Sequence, residues 1–361
     1  MSAQRRTVPR SMRALVMTSY ADQGDTDPAG GLEVREHPVP RAGRGEVLIR
    51  VSAAPVNPTD LALLLGRRPH ERPLPRVPGA EGSGIVVASG GGALAAALRG
   101  RRVAFGVPGS GDGAWAQYAA VPARNCLPLP KAVDDERGSM SLVNPVTAYG
   151  LLEVAHRHGT KAVVNTAAAG ALGRMIARLG ARRRVQVIDV VRRAEQVEAL
   201  RRDGREHVLD SSDPEFDRQL GELCRRLGAR IAFDAIGGAT TGRLLDALPA
   251  GGHLVIYGGL SLEPASFDLT GPIYENKSIS FFYLPTWLAT KNAVTATLII
   301  SRRVAPLLTT DLGSEVGSRT TLDDAPAAIA DYARNMTSGK VLLLPNEPPG
   351  SATGSGSTAG G

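Results

Sequence analysis

Residues 161–180 read "KAVVNTAAAGALGRMIARLG". Ala162 to Asn165 form a short apolar run of strand type, while Leu172, Ile176 and Leu179 recur at the spacing of one helical face. Between them lies a turn of the form A-x-x-G-x-x-G that begins at Ala167 and carries Gly170 and Gly173. A pyrophosphate bound at such a turn needs backbone N–H groups at a helix start, where the aligned peptide dipoles place about half a positive charge. Gly170 lets the backbone approach a ligand, and Gly173 lets helix and strand pack closely. Ala167 stands where a further glycine is expected, so an alanine-rich helix start is the competing reading. Placement after a strand favours a phosphate cradle built from Ala167, Ala168, Ala169, Gly170, Ala171, Leu172 and Gly173.

The segments downstream strengthen that reading. "VQVIDVV", "EHVLD", "RIAFDAI" and "HLVIYGG" are short buried-strand runs, and "RRAEQVEALRRDG", "PEFDRQLGELCRRLG" and "TTGRLLDALPAGG" are helical stretches between them. Gly180, Gly204, Gly228 and Gly251 each follow a helical run and are expected to mark helix ends. Strands alternating with helices of this length predict βαβ units and a parallel sheet. The second strand bears on cofactor choice. Counting about 20 residues from the glycines reaches Asp189, which alone favours NAD. Two valines follow Asp189, however, placing it inside the strand, and the strand's mouth carries Arg192 and Arg193. Guanidinium groups bind a 2′-phosphate through charge-assisted bonds where an acid would repel it, so NADPH is expected in preference to NADH.

Upstream, "RALVMTSY", "LEVREHPV", "EVLIRVSAAPVN", "EGSGIVVAS", "RRVAFG" and "WAQYAAVP" are β-type runs punctuated by Gly and Pro. They predict an all-β unit with little room for helix, a partly closed barrel. "DDAPAAIADYARNMTSGKVLLLP" predicts a helix and a closing strand. The expected layout is an arm at 1–11, a barrel unit from 12–138 and 305–345, a nucleotide-binding unit at 139–304, and a Gly/Ser-rich tail at 346–361. The 361 residues carry a net charge of +7, but the arginines are scattered and aromatic content is 4%, which argues against a nucleic-acid partner. No run of about 18 apolar residues suggests a membrane span. The amino-terminal segment lacks a signal-peptide core. Two cysteines, Cys126 and Cys224, are too few for a disulfide framework or a Cys-based zinc site, and a cytoplasmic setting is expected.

With "GEVLIRVSAAPVNPTDL", "VPGAEGSGIV", "SLVNPVTAYGLLE", "TAAAGALG", "AFDAIGG" and "GGHLVIYGGLS", the chain resembles the medium-chain dehydrogenase/reductase superfamily. It is similar in particular to the zinc-free quinone-oxidoreductase and enoyl-reductase-like branch. The resemblance runs from about Met12 to Leu344. It implies an α/β architecture, a Rossmann doubly wound parallel sheet plus a GroES-like partly closed β-barrel domain, with an active cleft between them and hydride transfer from nicotinamide. By motif, it implies that Asn57 and Asp60 lie at the cleft floor and that Asn144 and Thr147 face the nicotinamide. Tyr257, Gly258, Gly259 and Leu260, together with Phe281, Phe282, Tyr283 and Leu284, would bracket the cofactor, and Lys340 would close the site.

In the superfamily's zinc alcohol dehydrogenases a Cys, a His and a further Cys or Asp hold the catalytic metal. The corresponding positions here are Asn57, Ala80 and Val143, so no zinc is expected, and Glu81 reads as a structural carboxylate. Without a Lewis acid, an electron-poor conjugated carbonyl is the favoured acceptor. Enoyl-thioester reductases of the branch carry a tyrosine where this chain has Arg68, which cannot donate a proton. Arg68 and His70 are candidates for the substrate side, His70 as a proton shuttle, and Tyr149 is a further donor candidate. The expected function is zinc-independent, NADPH-dependent reduction of a quinone or enone, with Asn57, Asp60 and Thr147 as the orienting groups for the acceptor. The alternatives are an enoyl-thioester reductase acting on acyl chains and an NADPH-binding regulatory or structural protein with little turnover. The strand "NKSISFFYL" resembles one that pairs across a two-fold axis in the family, which predicts a homodimer.

Overall fold

The structure is a computed structural model that describes residues 8–21, 27–67, 73–109, 111–337, 339–348 and 350. The chain divides into two compact units: the residues up to Val143 together with those from Gly313 onward, and Asn144–Leu312.

The first unit holds β1 (Ser11–Met17), β2 (Leu32–Pro38), β3 (Glu46–Pro55), α1 (Pro58–Leu64), β4 (Glu81–Ser89), α2 (Ala93–Leu98), β5 (Arg102–Gly106), β6 (Tyr118–Pro122), β7 (Cys126–Pro128) and α3 (Asp135–Ser139). The returning chain adds β14 (Val316–Thr320), α12 (Ala325–Arg334) and β15 (Lys340–Leu343). The seven-stranded sheet runs β14-β15-β3-β4-β5-β7, and β6 also pairs with β3. β3 serves three partners along its ten residues: β6 from Glu46 to Arg50, β4 from Val47 to Ala53, and β15 at Ala54 and Pro55. Register shifts between Leu48 and Ile49 and between Val51 and Ala53 mark β-bulges, which bend a strand and let the sheet curl. Trp115, Phe105, Leu15, Met17 and Ile49 are fully buried in its core, each contributing about 1.5–3 kcal/mol through burial. The three short helices α1, α2 and α3 correct the all-β expectation. The longest has seven residues, too few for the 3.6-residue periodicity to register against the surrounding strands.

In the second unit follow α4 (Val143–Arg157), β8 (Ala162–Asn165), α5 (Ala171–Arg182), β9 (Gln186–Val191), α6 (Ala194–Arg202), β10 (His207–Asp210), α7 (Phe216–Leu227), β11 (Ile231–Asp234), α8 (Ala239–Ala247), β12 (His253–Ile256), α9 (Thr270–Tyr274), β13 (Ser278–Phe281), α10 (Leu284–Ala289) and α11 (Ala293–Leu298). The six strands are all parallel in the order β10-β9-β8-β11-β12-β13. The order of strand addition reverses between β8 and β11, the switch point at which open α/β sheets bind ligands beyond the carboxyl ends of their strands. Gly204 and Gly228 follow α6 and α7 in the left-handed region, as glycines after helices do. Gly180 does not end its helix: α5 runs on to Arg182, and a Cβ at Gly180 would lie 2.9 Å from the Val187 side chain, so this glycine admits β9.

The units divide after Val143 and Leu312, somewhat beyond the positions marked by the change of sequence pattern. Polar anchors account for this. Ser83 Oγ donates to the Asp135 carbonyl at 2.5 Å and Arg102 Nε to the Asp135 carboxylate at 2.7 Å, tying α3 to the sheet of the first unit. Asp311 accepts from Arg178 Nε through its carbonyl and pairs with Arg182 through its carboxylate, holding that segment to α5. Among the described residues no helix is long and apolar enough to cross a membrane.

Candidate functional site

The phosphate loop begins with a conformation that glycine would adopt freely. Ala167 has φ +50°, in the left-handed region that costs an L-residue about 1–2 kcal/mol. The Gly170 N–H donates back to the Ala167 carbonyl at 2.9 Å and the Ala168 N–H to Val190 at 3.2 Å, closing the turn onto β9. Ala168 and Ala169 are buried with Val191, Val197, Leu200 and Val208 in a small core of their own. These alanines therefore pack the loop, which explains why the stretch is rich in them. A Cβ at Gly173 would sit 2.6 Å from the Ala168 Cα and 2.7 Å from the Ala167 carbonyl oxygen, so α5 approaches the loop as closely as a glycine permits. Gly170 caps α5, and the amides of Ala171 and Leu172 open the helix without intrahelical acceptors. No acid lies in that first turn. Together these features bring backbone amides without intrahelical acceptors and a glycine-permitted close approach to the start of α5.

At the end of β9, Arg192 and Arg193 are exposed, and Arg193 Nε lies 3.2 Å from Glu195. Asp189 is 1% exposed, inside the strand as its sequence position predicts. Its carboxylate accepts from Asn165 Nδ2 at 2.9 Å and lies 3.6 Å from Arg205 Nη1. Burial pushes Asp189 up to about 6, against the Asn165 hydrogen bond and the Arg205 charge.

The loops after β11 and β12 are joined by hydrogen bonds. Asp234 accepts from the Ile236 and Gly237 amides and from Thr241 Oγ1, folding the "DAIGG" turn, where Gly237 and Gly238 both have positive φ. The Leu260 and Ser261 amides donate to Ala235 and Ile236, and a Cβ at Gly258 would lie 2.7 Å from the Ala235 carbonyl. Thus Tyr257, Gly258, Gly259 and Leu260 stand at the carboxyl end of the sheet. Burial, with Asp234 nearby, raises the Tyr257 phenol. After β13, Phe282 departs from its expected cofactor-facing position. Its ring fills the space beside Gly150 of α4, 5.9 Å from the Trp287 ring, leaving half-exposed Tyr283 and part-buried Leu284 at the surface. Tyr149 packs edge-on to Trp287 with Arg183 over its face, a packing role in place of the proton-donor role considered for it. Asn144 and Thr147, three residues apart, share one face of α4 and are almost wholly buried.

In the first unit, Asn57, Asp60 and Lys340 come together with Glu81, all buried. Asn57 Nδ2 donates to Glu81 Oε1 at 3.0 Å, and Lys340 Nζ donates to Asn57 Oδ1 at 2.5 Å and to the Val56 carbonyl at 3.2 Å. Asp60 accepts the Asn57 N–H on one oxygen and the Ala80 N–H on the other. Glu81 Oε2 accepts the Leu142 and Val143 amides. Asp60 therefore clamps backbone where an acceptor-orienting role was expected, and the Lys340 ammonium is committed inside its own unit. Burial pushes Asp60 up to about 6 and raises Glu81, opposed in both by backbone N–H donors and by Lys340. Glu81 has the structural role its sequence suggested: it fixes the Asn57 amide and the chain leading into α4. Arg68 and His70 lie outside the described residues. A groove over β1 and β2 contains none of the expected site residues; in it Arg13 pairs with Asp323 and the Ser11 hydroxyl donates to Glu36.

The family signature described as the alcohol dehydrogenase GroES-like domain matches residues 43–131, and that described as zinc-binding dehydrogenase matches residues 168–298. A solved structure from Mesorhizobium loti, provisionally assigned as an NADPH:quinone reductase, superposes with a TM-score of 0.86 at 31% identity, covering 94% of this chain and 100% of that one. A mycobacterial protein solved in complex with NADPH has a TM-score of 0.78 at 28% identity, covering 92% of this chain and 100% of that one. The mitochondrial enoyl-[acyl-carrier-protein] reductase of Bos taurus is 28% identical over 287 residues, covering 77% of this chain and 74% of that protein. The chain belongs to the medium-chain dehydrogenase/reductase superfamily. It is an NAD(P)H-dependent reductase of that superfamily.

Proposed function

We propose that the chain reduces a conjugated carbonyl, a quinone or an enone, using NADPH and no zinc. The observation that carries the cofactor choice is the exposed Arg192–Arg193 pair at the carboxyl end of β9, with Asp189 withdrawn into the strand. When bound, the reduced nicotinamide supplies a hydride from its C4. The chain's own part is to bind and to orient. Amides at the start of α5 hold the pyrophosphate, Arg192 and Arg193 the 2′-phosphate, and Asn144, Thr147, Tyr257–Leu260, Tyr283 and Leu284 line the remainder. Asn57, whose amide orientation is fixed by Glu81 and Lys340, keeps one N–H hydrogen beyond the one it gives Glu81. That donor and the Thr147 hydroxyl are the groups we assign to the acceptor oxygen. The zinc-free reading draws support from donor chemistry: the amide oxygen of Asn57 is occupied by an ammonium, and Ala80 and Val143 offer no side-chain donor.

The test is a screen of NADPH and NADH against quinones, enones and enoyl thioesters, followed by loss of nicotinamide absorbance. NADPH-dependent turnover of a quinone or enone is expected, and an Arg192→Ala, Arg193→Ala double variant should lose NADPH affinity selectively. Activity lost on chelation and restored by zinc would refute the zinc-free reading. A second reading, an enoyl-thioester reductase on acyl chains, is favoured by the likeness to the Bos taurus enzyme and requires thioester turnover in the same screen. NADPH binding without any turnover would instead indicate a regulatory role. We further propose a homodimer formed along β13, supported by exposed Phe281, Ile273 and Tyr274 at and beside that sheet edge. Two free cysteines support a reducing, cytoplasmic setting.

A further inference from the structure

We propose that Arg205 is a specificity-determining residue for the dinucleotide: by pairing with Asp189 beneath the carboxyl end of β9, it keeps a buried acid from acting against a 2′-phosphate. The inference rests on the NADPH reading above and deepens it.

Asp189 precedes the last residue of β9, Val191, by two positions, about 7 Å along the strand. A buried carboxylate about 10 Å along the chain from Arg192 is poorly screened and would oppose the charge those arginines attract. Three groups meet it. Asn165, its register partner on β8, donates one Nδ2 hydrogen to Asp189 and the other to the Gly173 carbonyl at 3.2 Å, while its Oδ1 has no partner. Asn165 thus links the acid to the first turn of α5 but brings no charge. The Arg174 charge also favours the ionised acid, though less than Arg205 does, and its Nη1 pairs with Asp203 at 2.6 Å while its Nε donates to the Ala169 carbonyl. Arg205 remains. Its side chain is 17% exposed, its Nη1 faces Asp189, its Nη2 donates to the Arg174 carbonyl at 3.4 Å, and its N–H to Leu200 fixes its backbone after α6. The acid that the sequence alone reads as a mark for NAD is thereby turned inward and neutralised.

The experiment titrates NADPH and NADH onto wild type, Arg205→Met, Asp189→Asn and the double variant at one ionic strength and at pH 8.5, well above the value of about 6 to which burial pushes Asp189, reading the ratio of the two dissociation constants. Arg205→Met should cut the preference for NADPH by roughly five- to tenfold, as expected for an uncompensated charge within about one Debye length of Arg192. The double variant should restore the wild-type ratio to within about twofold, since it removes both charges together. If Arg205→Met weakens both nucleotides equally, or the double variant keeps the loss, Arg205 is only structural and the inference fails. Should Arg205→Met not fold, Asp189→Asn decides: a raised ratio is expected, and an unchanged one overturns the proposal. The wild-type ratio tests the NADPH reading separately, because the change between variants measures Arg205 whichever nucleotide wild type prefers.

Discussion

Ala167 and Gly173 face opposite demands within one turn. The backbone at Ala167 holds a left-handed conformation despite its Cβ, so Ala167→Gly should raise stability by about 1 kcal/mol, measured by chemical unfolding, and leave dinucleotide affinity intact. At Gly173 a methyl group would strike backbone atoms that cannot rotate away. Gly173→Ala should cost about 1–3 kcal/mol and weaken NADPH in a fluorescence titration, because α5 must retreat from the loop. The strand, turn and helix around the loop were legible in the sequence, since an apolar run before two glycines and a helical stripe after them suffice to locate them. The loop's alanines were not legible as packing residues: the small core that holds Ala168 and Ala169 is assembled with β9, α6 and β10, from side chains such as Val197 and Val208 far along the chain. The buried cluster around Asn57 was hidden for the same reason. "VNPTDL" announces a turn, but what fixes Asn57 is Lys340, which lies 283 residues away.

Elements show where short-range pattern loses its hold. The strands and helices from β8 to β12 follow their apolar periodicity closely, whereas α1, α2 and α3 are too brief to show one. Lys277 illustrates an element held by a single distant group. Its ammonium donates to the Leu245 carbonyl at 2.7 Å in the last turn of α8 and pairs with Glu275. Lys277→Met should therefore lower stability by about 2 kcal/mol, since a charged donor leaves helix-end acceptors unmet. β13 is held on its inner side by His253, whose two ring nitrogens meet Ser278 and Ser280 and whose ring stacks on His158 at 4.6 Å. Partial burial and the neighbouring His158 lower the proton affinity of His253. A histidine with a depressed folded-state pKa binds fewer protons folded than unfolded, so its contribution is intact above about 6.5 and is lost as pH falls through the folded value. The melting temperature should drop between pH 7.5 and 5 in wild type, and less so in His253→Gln. An equal drop in both would dismiss His253 as the source.

At the scale of the whole molecule, the outer edge of β13 presents Phe281, 80% exposed, to solvent. Phe281→Lys should convert a dimer to monomer in sedimentation velocity while leaving the fold unchanged by circular dichroism. A wild-type protein already monomeric at micromolar concentration would end the dimer proposal. The parallel sheet was readable because strands alternate with helices, and the six strands obey that, while their Rossmann order came with the family resemblance. The closing of the barrel unit was readable only in outline, as one helix and one strand near the carboxyl end.

That closure constrains the order of events during synthesis. β3 cannot complete its pairing until β15 emerges, and the buried carboxylates of Asp60 and Glu81 have no ammonium beside them until Lys340 arrives. The first 143 residues leave the ribosome early yet lack the cation that makes their interior tolerable. The nucleotide-binding unit, contiguous from Asn144 to Leu312, depends on no such latecomer. On a growing chain the second unit to be made is thus the first able to finish, and the barrel must wait for it.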